Sequence, residues 1–363
     1  CDDVSGTTTI SSDCSSAFDI TGSNADITLS AEAAANVNNL LENKGTNSSL
    51  TITASGSLAG SNYVIRNDDS GKSFDLISNA GTISGVLRSI YTGRPLTTLI
   101  NSGTISASNS QTIYLSSSPI TTFTNSGTIS SVNGNTLLLY EEITTLNNTG
   151  TITVTSDNTA VDINIATDDM GGGQGSIVTL NNSQGKDGDD ALIINKVPTN
   201  YNVIINSTSD YGQLSVSANS GSTTFGIDSS STLACETYTS VLSGVATGEI
   251  SSGKTGTFGE KSWTLSETSS GSETWNLTIS GCDSTAPTLS SSTPTDNATD
   301  VAVDINIVLN FSESVDVENG NITIKKTSDN SVIETIDVTS SNVTGTGSSQ
   351  ITINPSNNLD KGV

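Results

Sequence analysis

The sequence predicts an all-β protein whose body is a right-handed parallel β-helix with three short strands per coil of about 23 residues, and two observations predict it. A five-residue phrase returns four times, as Asn79-Ala80-Gly81-Thr82-Ile83, Asn101-Ser102-Gly103-Thr104-Ile105, Asn125-Ser126-Gly127-Thr128-Ile129 and Asn148-Thr149-Gly150-Thr151-Ile152. Its glycines lie 22, 24 and 23 residues apart (81 to 103, 103 to 127, 127 to 150), and a period of this size in a strand-rich chain marks a solenoid. Three apolar positions also recur within each period, so each repeat divides into three strands that bury little alone and must stack on their neighbours.

The first strand ends two residues before the Asn, with Ile77, Leu99, Phe123, Leu146 and Leu180 in equivalent places. The second carries Ile83, Ile105, Ile129 and Ile152, and the third runs through Ile113 and Leu115, Leu137 and Leu139, Val161 and Ile163. Alternation then sends Ile inward and Thr outward. Asn79, Asn101, Asn125 and Asn148 are expected to hydrogen-bond up and down the stack as a side-chain ladder. Gly81, Gly103, Gly127 and Gly150 are expected to supply a positive φ at the bend. Degenerate copies at Thr53-Ala54-Ser55-Gly56-Ser57-Leu58 and Leu180-Asn181-Asn182-Ser183-Gln184-Gly185 extend the series, the latter displaced by an insertion at Asp168–Gly173 that reads as a projecting loop.

The ends read as caps. Residues 1–47 form an N-terminal cap closed by a Cys1–Cys14 pair, with one or two helical turns at Ala31–Leu41. The β-helix occupies 48–260. Residues 261–282 form an antiparallel hairpin, because Trp263-Thr-Leu265 and Trp275-Asn-Leu277-Thr-Ile279 alternate around Ser269-Ser270-Gly271-Ser272. Such a hairpin would cover the open strand edge at the far end. Pairing Cys235 with Cys282 closes the second small loop and implies an oxidising compartment. The start at Cys1 suits a processed, secreted chain, and a lipid on that cysteine is the competing reading.

The chain has 363 residues, 33% hydrophobic and 4% aromatic, with a formal net charge of −25 and no histidine. That charge repels phosphate backbones and anionic lipid, which argues against nucleic-acid partners. No apolar run is long enough for a membrane span. The absence of histidine removes the commonest general base and transition-metal ligand.

Beyond a linker at Cys282–Pro287, residues 283–363 change character. Pro294-Thr-Asp-Asn-Ala-Thr-Asp-Val301, Phe311-Ser-Glu-Ser-Val315, Asn321-Ile-Thr-Ile-Lys-Lys326 and Ile351-Thr-Ile-Asn-Pro355 resemble the bacterial Ig-like domain of S-layer and large surface proteins. The resemblance implies a β-sandwich; about five of its roughly seven strands can be placed, so continuation past Val363 or strand donation by a neighbour is expected. The Asn-x-Gly-Thr-Ile coils resemble the passenger regions of autotransporter-like adhesins. Both resemblances imply a stalk, lattice or adhesive surface outside the bacterial cell, and neither brings a catalytic motif.

Candidate sites are sparse. Asp187, Asp189 and Asp190 on one turn are the best Ca²⁺ candidates, and Ca²⁺ is the only cofactor left open. Asp300, Asp304, Glu313 and Asp316 raise the same chemistry in the Ig-like part. A polysaccharide-active enzyme needs converging carboxylates with Lys or Arg on adjacent coils, and Arg88, Tyr91, Arg94, Glu141 and Glu142 are the nearest approach. Thr82, Thr104, Thr128 and Thr151 form one outward row, which the β-propensity of Thr explains without an ice-binding role. The sequence therefore reads as a non-enzymatic extracellular surface protein, structural or adhesive. The alternatives are an S-layer or filament subunit and a glycan-active enzyme. Expected partners are copies of itself, other cell-surface components, or glycans.

Overall fold

The computed structural model describes residues 2–156, 160–166, 174–186, 188, 190–218, 221–282 and 285–359. The chain divides into two compact units, Cys1–Cys282 and Asp283–Val363.

The first unit is a β-solenoid with three faces. Among the described residues face I has 11 strands, face II has 6 and face III has 13, the last three of face III being the antiparallel cap. Strands of successive coils pair in parallel on every face, so identical positions stack. Thr82, Thr104, Thr128 and Thr151 pair in one row, with Ile83, Ile105, Ile129 and Ile152 in the next. The four isoleucines are fully buried, while the threonines sit on the outer side as the two-residue period requires. On face I one interior column runs through Ile27, Leu50, Ile77, Leu99, Phe123, Leu146, Leu180, Tyr201 and Phe225.

Coiling begins much earlier than residue 48. Thr7–Ile10 and Asp26–Leu29 already lie on face I, Glu32–Ala35 on face II, and Phe18–Thr21 and Asn39–Lys44 on face III, all paired in parallel. The helical turns expected at Ala31–Leu41 are therefore two strands. Ala33 stacks beneath Leu58, and Leu40 and Leu41 are fully buried. An isolated helix of this length is marginal. The unpaired backbone of the adjacent coil offers a complete set of hydrogen bonds, which outweighs the helix propensity of four alanines.

On face III the structure sets Leu137 beside Ile163 and Leu139 beside Ile165. The coil is thus two residues out of step with the expected Val161 and Ile163 pairing. Val161 lies at the coil edge, its N–H donating to the Asn135 side chain at 2.9 Å.

Face II stops at Thr151–Val154. Faces I and III continue, and among the described residues the segments between them form no further face II strands. Side chains complete that open edge. Ile152 N–H donates to Gln184 Oε1 at 2.8 Å, and Gln184 Nε2 donates to Ile152 O at 3.0 Å. The carboxamide thus stands where a peptide group of the next strand would be. Val154 N–H donates to Asp162 Oδ1 at 2.9 Å, while Asp162 Oδ2 accepts from Ile193 N–H at 2.8 Å. Burial pushes the Asp162 carboxyl up to about 6, against the pull of the Ile193 and Val154 N–H groups and with a small upward push from Asp190.

The far end is closed by antiparallel strands. Lys261–Glu267 pairs with Thr274–Ser280, which pairs with Thr237–Ser243 of face III. The cap also takes in Thr255–Phe258, so it has three strands and begins before residue 261. Trp263, Leu265, Trp275, Leu277 and Ile279 are all buried on its inner side. Trp263 packs edge-on to Phe225 at 5.8 Å, and Trp275 Nε1 donates to Val245 O at 2.8 Å. The Cys235–Cys282 disulfide, Cα atoms 6.1 Å apart, ties the cap to the preceding coil.

In the second unit Leu289–Thr293, Ile307–Val315, Val343–Thr344 and Ser348–Ile353 form an antiparallel four-stranded sheet, and Asn321–Lys325 pairs with Val332–Asp337. Ile336 from the pair joins Val343, Ile351 and Ile353 from the sheet in one core.

Candidate interaction surface

The Asn side chains make the expected ladder. Asn79 Nδ2 donates to Asn101 Oδ1 at 2.8 Å, Asn101 to Asn125 at 2.8 Å, Asn125 to Asn148 at 2.8 Å and Asn148 to Asn182 at 2.9 Å. All five are fully buried, so each amide must find its partners inside the corner. A second pair, Asn43 to Asn67 at 3.1 Å, occupies another buried corner.

The glycines work differently from expectation. None of Gly81, Gly103, Gly127 and Gly150 has a positive φ. They are needed because neighbouring coils pass too close for a side chain. A Cβ on Gly103 would lie 2.1 Å from Gly81 O, one on Gly127 2.1 Å from Gly103 O, and one on Gly150 2.1 Å from Gly127 O. The ladder is thus buried inside the shaft, and its corner glycines, Gly81 buried and Gly103, Gly127 and Gly150 half-buried, let successive coils approach closely.

Of the metal candidates, Asp187 and Asp189 lie outside the described residues, as do Cys1 of the proposed first disulfide and the insertion loop at 168–173. The Asp190 carbonyl accepts from Gln184 Nε2 at 3.2 Å. Among the described residues no three His, Cys, Asp or Glu side chains form a metal-holding group. In the second unit Asp316 Oδ1 accepts from Thr346 Oγ1 at 3.1 Å.

The arginine and tyrosine residues that looked thin as an enzyme constellation belong to a larger surface. On the outer side of face III, Tyr91 stacks on Tyr114 with centroids 5.4 Å apart and planes 19° from parallel. Tyr63 meets Tyr91 at 5.3 Å, and Tyr140 meets Tyr114 at 5.6 Å. The Arg88 guanidinium lies 4.5 Å from the Tyr114 ring and 5.5 Å from the Tyr63 ring, and Arg88 Nη1 donates to Tyr63 Oη at 2.9 Å. Arg66 is held by Glu42 at 3.2 Å and Asp68 at 2.6 Å. Its burial lowers its pKa, but those carboxylates outweigh the burial and the net shift is upward. Arg94 Nε donates to Asp68 O at 3.0 Å. Among the described residues, neither Arg88 nor Arg94 forms a salt bridge. Tyr114 has its pKa raised by burial first and by Tyr140 next, with Arg88 opposing. Glu142 Oε1 accepts from Thr144 Oγ1 at 3.1 Å and makes no ion pair with these arginines.

This stripe gathers all three arginines of the chain, while the three tyrosines outside it, Tyr201, Tyr211 and Tyr238, are buried. Tyr63, Arg66, Tyr114 and Tyr140 were not singled out from the sequence, yet the signal was there. Arg88 pairs with Tyr63, Tyr91 with Arg66, and Tyr114 with Tyr91, each one coil apart.

Comparison with known proteins decides the nature of the second unit. Residues 283–363 match the bacterial Ig-like domain family. The bacterial Ig-like domain agrees with the two-sheet core around Ile336 and Ile351, and it is a type found in bacterial surface proteins. No curated protein and no solved structure matches the chain.

Proposed function

We propose that the protein is a non-enzymatic structural and adhesive component of the bacterial cell surface, in which a rigid solenoid displays contact groups at a fixed pitch. The observation that carries this reading is the union of an Asn-laddered shaft with a bacterial Ig-like domain in one chain. The Cys235–Cys282 disulfide supports an oxidising, extracellular setting. The non-enzymatic reading rests on the half-buried stripe, whose carboxylates Glu42 and Asp68 are paired with Arg66 on the outer side of a sheet. Copies of the chain and other surface components are the partners this reading favours.

The test is limited proteolysis of intact cells of the source organism, followed by immunogold labelling. The protein is expected to be cleaved by external protease and to label outside the envelope. Protection until lysis overturns the proposal.

A further inference from the structure

The Tyr-Arg stripe has a composition unlike the rest of the molecule, and its chemistry selects a class of ligand. It lies on the outside of a parallel sheet, so it offers a track to something long rather than an enclosure to something small. Its members recur one coil apart, so a polymer running along the solenoid axis meets an equivalent group every coil, roughly 4.8 Å on. The stripe carries donors in Arg88 and Arg94, acceptors in Glu42 and Asp68, and tyrosine hydroxyls that do both. That mixture matches a surface of hydroxyl groups, which also donate and accept. Tyrosine supplies apolar ring area next to each hydroxyl at low conformational cost. The formal net charge of −25 repels a polyanion, whereas a neutral chain approaches without that penalty. Arg88 is fixed between the Tyr63 and Tyr114 rings and has no salt bridge among the described residues, so its charge is free to polarise a bound hydroxyl.

We propose that Tyr63, Arg66, Arg88, Tyr91, Tyr114 and Tyr140 form the contact stripe for a neutral polysaccharide lying along the solenoid axis. This rests on the adhesive reading above and gives its ligand class.

Affinity electrophoresis of the full chain tests it, with hydroxyethylcellulose, laminarin and galactomannan as neutral polymers and alginate as the acidic one. At least one neutral polymer retards the protein, and the retardation persists when salt is raised about tenfold, because no ion release is involved. The Tyr91→Ser/Tyr114→Ser double variant weakens that binding at least tenfold. Thr82→Ser on face II leaves it unchanged. Should the double variant fail to fold, Tyr114→Phe and Arg88→Gln each weaken binding severalfold with the thermal melt preserved. Retardation by none of the neutral polymers, by alginate alone, or equally for wild type and folded stripe variants overturns the proposal. So does capture of a protein partner by the stripe without any polymer binding. External labelling of cells alongside any of those results removes the ligand class while leaving the surface role standing.

Discussion

The coils up to Val154 and the coils beyond Asp162 solve the same packing problem in different ways. From Asp26 on the earlier coils have a strand on each face, and their face II interior is aliphatic residues stacked on their own kind, such as Ile83, Ile105, Ile129 and Ile152. Their corners are filled by the Asn ladder. Among the described residues the later coils have no face II strand, and the end of their interior column is built of rings. The face I column that mixes Leu99, Phe123, Leu146 and Leu180 below ends in three successive rings, Tyr201, Phe225 and Trp263. Tyr201 Oη, buried with its ring, donates to Val241 O at 3.2 Å. A repeating interior therefore needs small residues and close backbones, and a departing strand needs both bulk to fill the volume and polar side chains to complete the edge.

Four experiments break or sharpen that contrast. The largest effect is expected from Gly127→Val, because its Cβ would sit 2.1 Å from Gly103 O and only separation of two coils relieves the clash. A loss of about 3 kcal/mol or more is expected in thermal or denaturant unfolding. Gly248→Ala in the later coils, where a Cβ meets nothing within 4 Å, is expected to change little. Equal effects at the two sites would remove close approach as the reason for the corner glycines.

The second experiment reads the edge through Asp162. Its folded pKa of about 6 is above the ordinary carboxylate value of 3.8, so the folded state holds the proton more tightly than the unfolded one. Its contribution to stability is fully present below about pH 4 and is lost as pH rises through about 6, on the order of 2–3 kcal/mol. Asp162→Asn is expected to flatten that slope in urea titrations run across the window. Asp329 and Asp337 are shifted downward and act in the opposite sense at lower pH. An unchanged slope in the variant would assign the pH dependence elsewhere.

Asn125→Leu comes next. It removes the shortest acceptor of Asn101 Nδ2 and the Asn125 donor to Asn148 Oδ1, at a cost of about 1–3 kcal/mol. Gln184→Leu in the later region strips the side-chain partners from Ile152 N–H and C=O, with a cost of about 1–2 kcal/mol. It also opens an edge that can pair with another molecule. Light scattering that rises for Gln184→Leu and stays flat for Asn125→Leu would separate edge protection from ladder bonding. No difference in scattering would count against the edge role.

The regular part of the solenoid was legible because stacking forces like residues into register. The Asn-x-Gly-Thr-Ile phrase located face II, its ladder and the inward Ile correctly. The coils before residue 48 were not legible, because Ala33 fills the interior position of Leu58 and Ile83 without repeating the phrase around it. The role of the corner glycines was misread because sequence alone does not distinguish a left-handed bend from a close backbone approach. Face III slipped by two residues at Ile163 because Asp162, a carboxylate, occupies a buried position that the preceding coil fills with Thr136, whose hydroxyl donates to Thr153 O at 2.6 Å. The Tyr-Arg stripe went unassembled because its members alternate between two residue types, so no repeated word marks the column.

The Asn ladder also runs in one direction. Every Nδ2 donates to the Oδ1 of the next coil toward the C-terminus, until Asn182 turns its amide to the carbonyls of Gln184 and Gln213. The first three steps span only 22 to 24 residues each, so the loop that must close to add a coil hardly grows along the repeats. A chain emerging N-terminus first can settle one coil at a time, each newcomer accepting the hydrogen bond that its predecessor has been holding out to solvent. The kinetic barrier then resembles that of lengthening a zipper, with Asn182 as its last tooth.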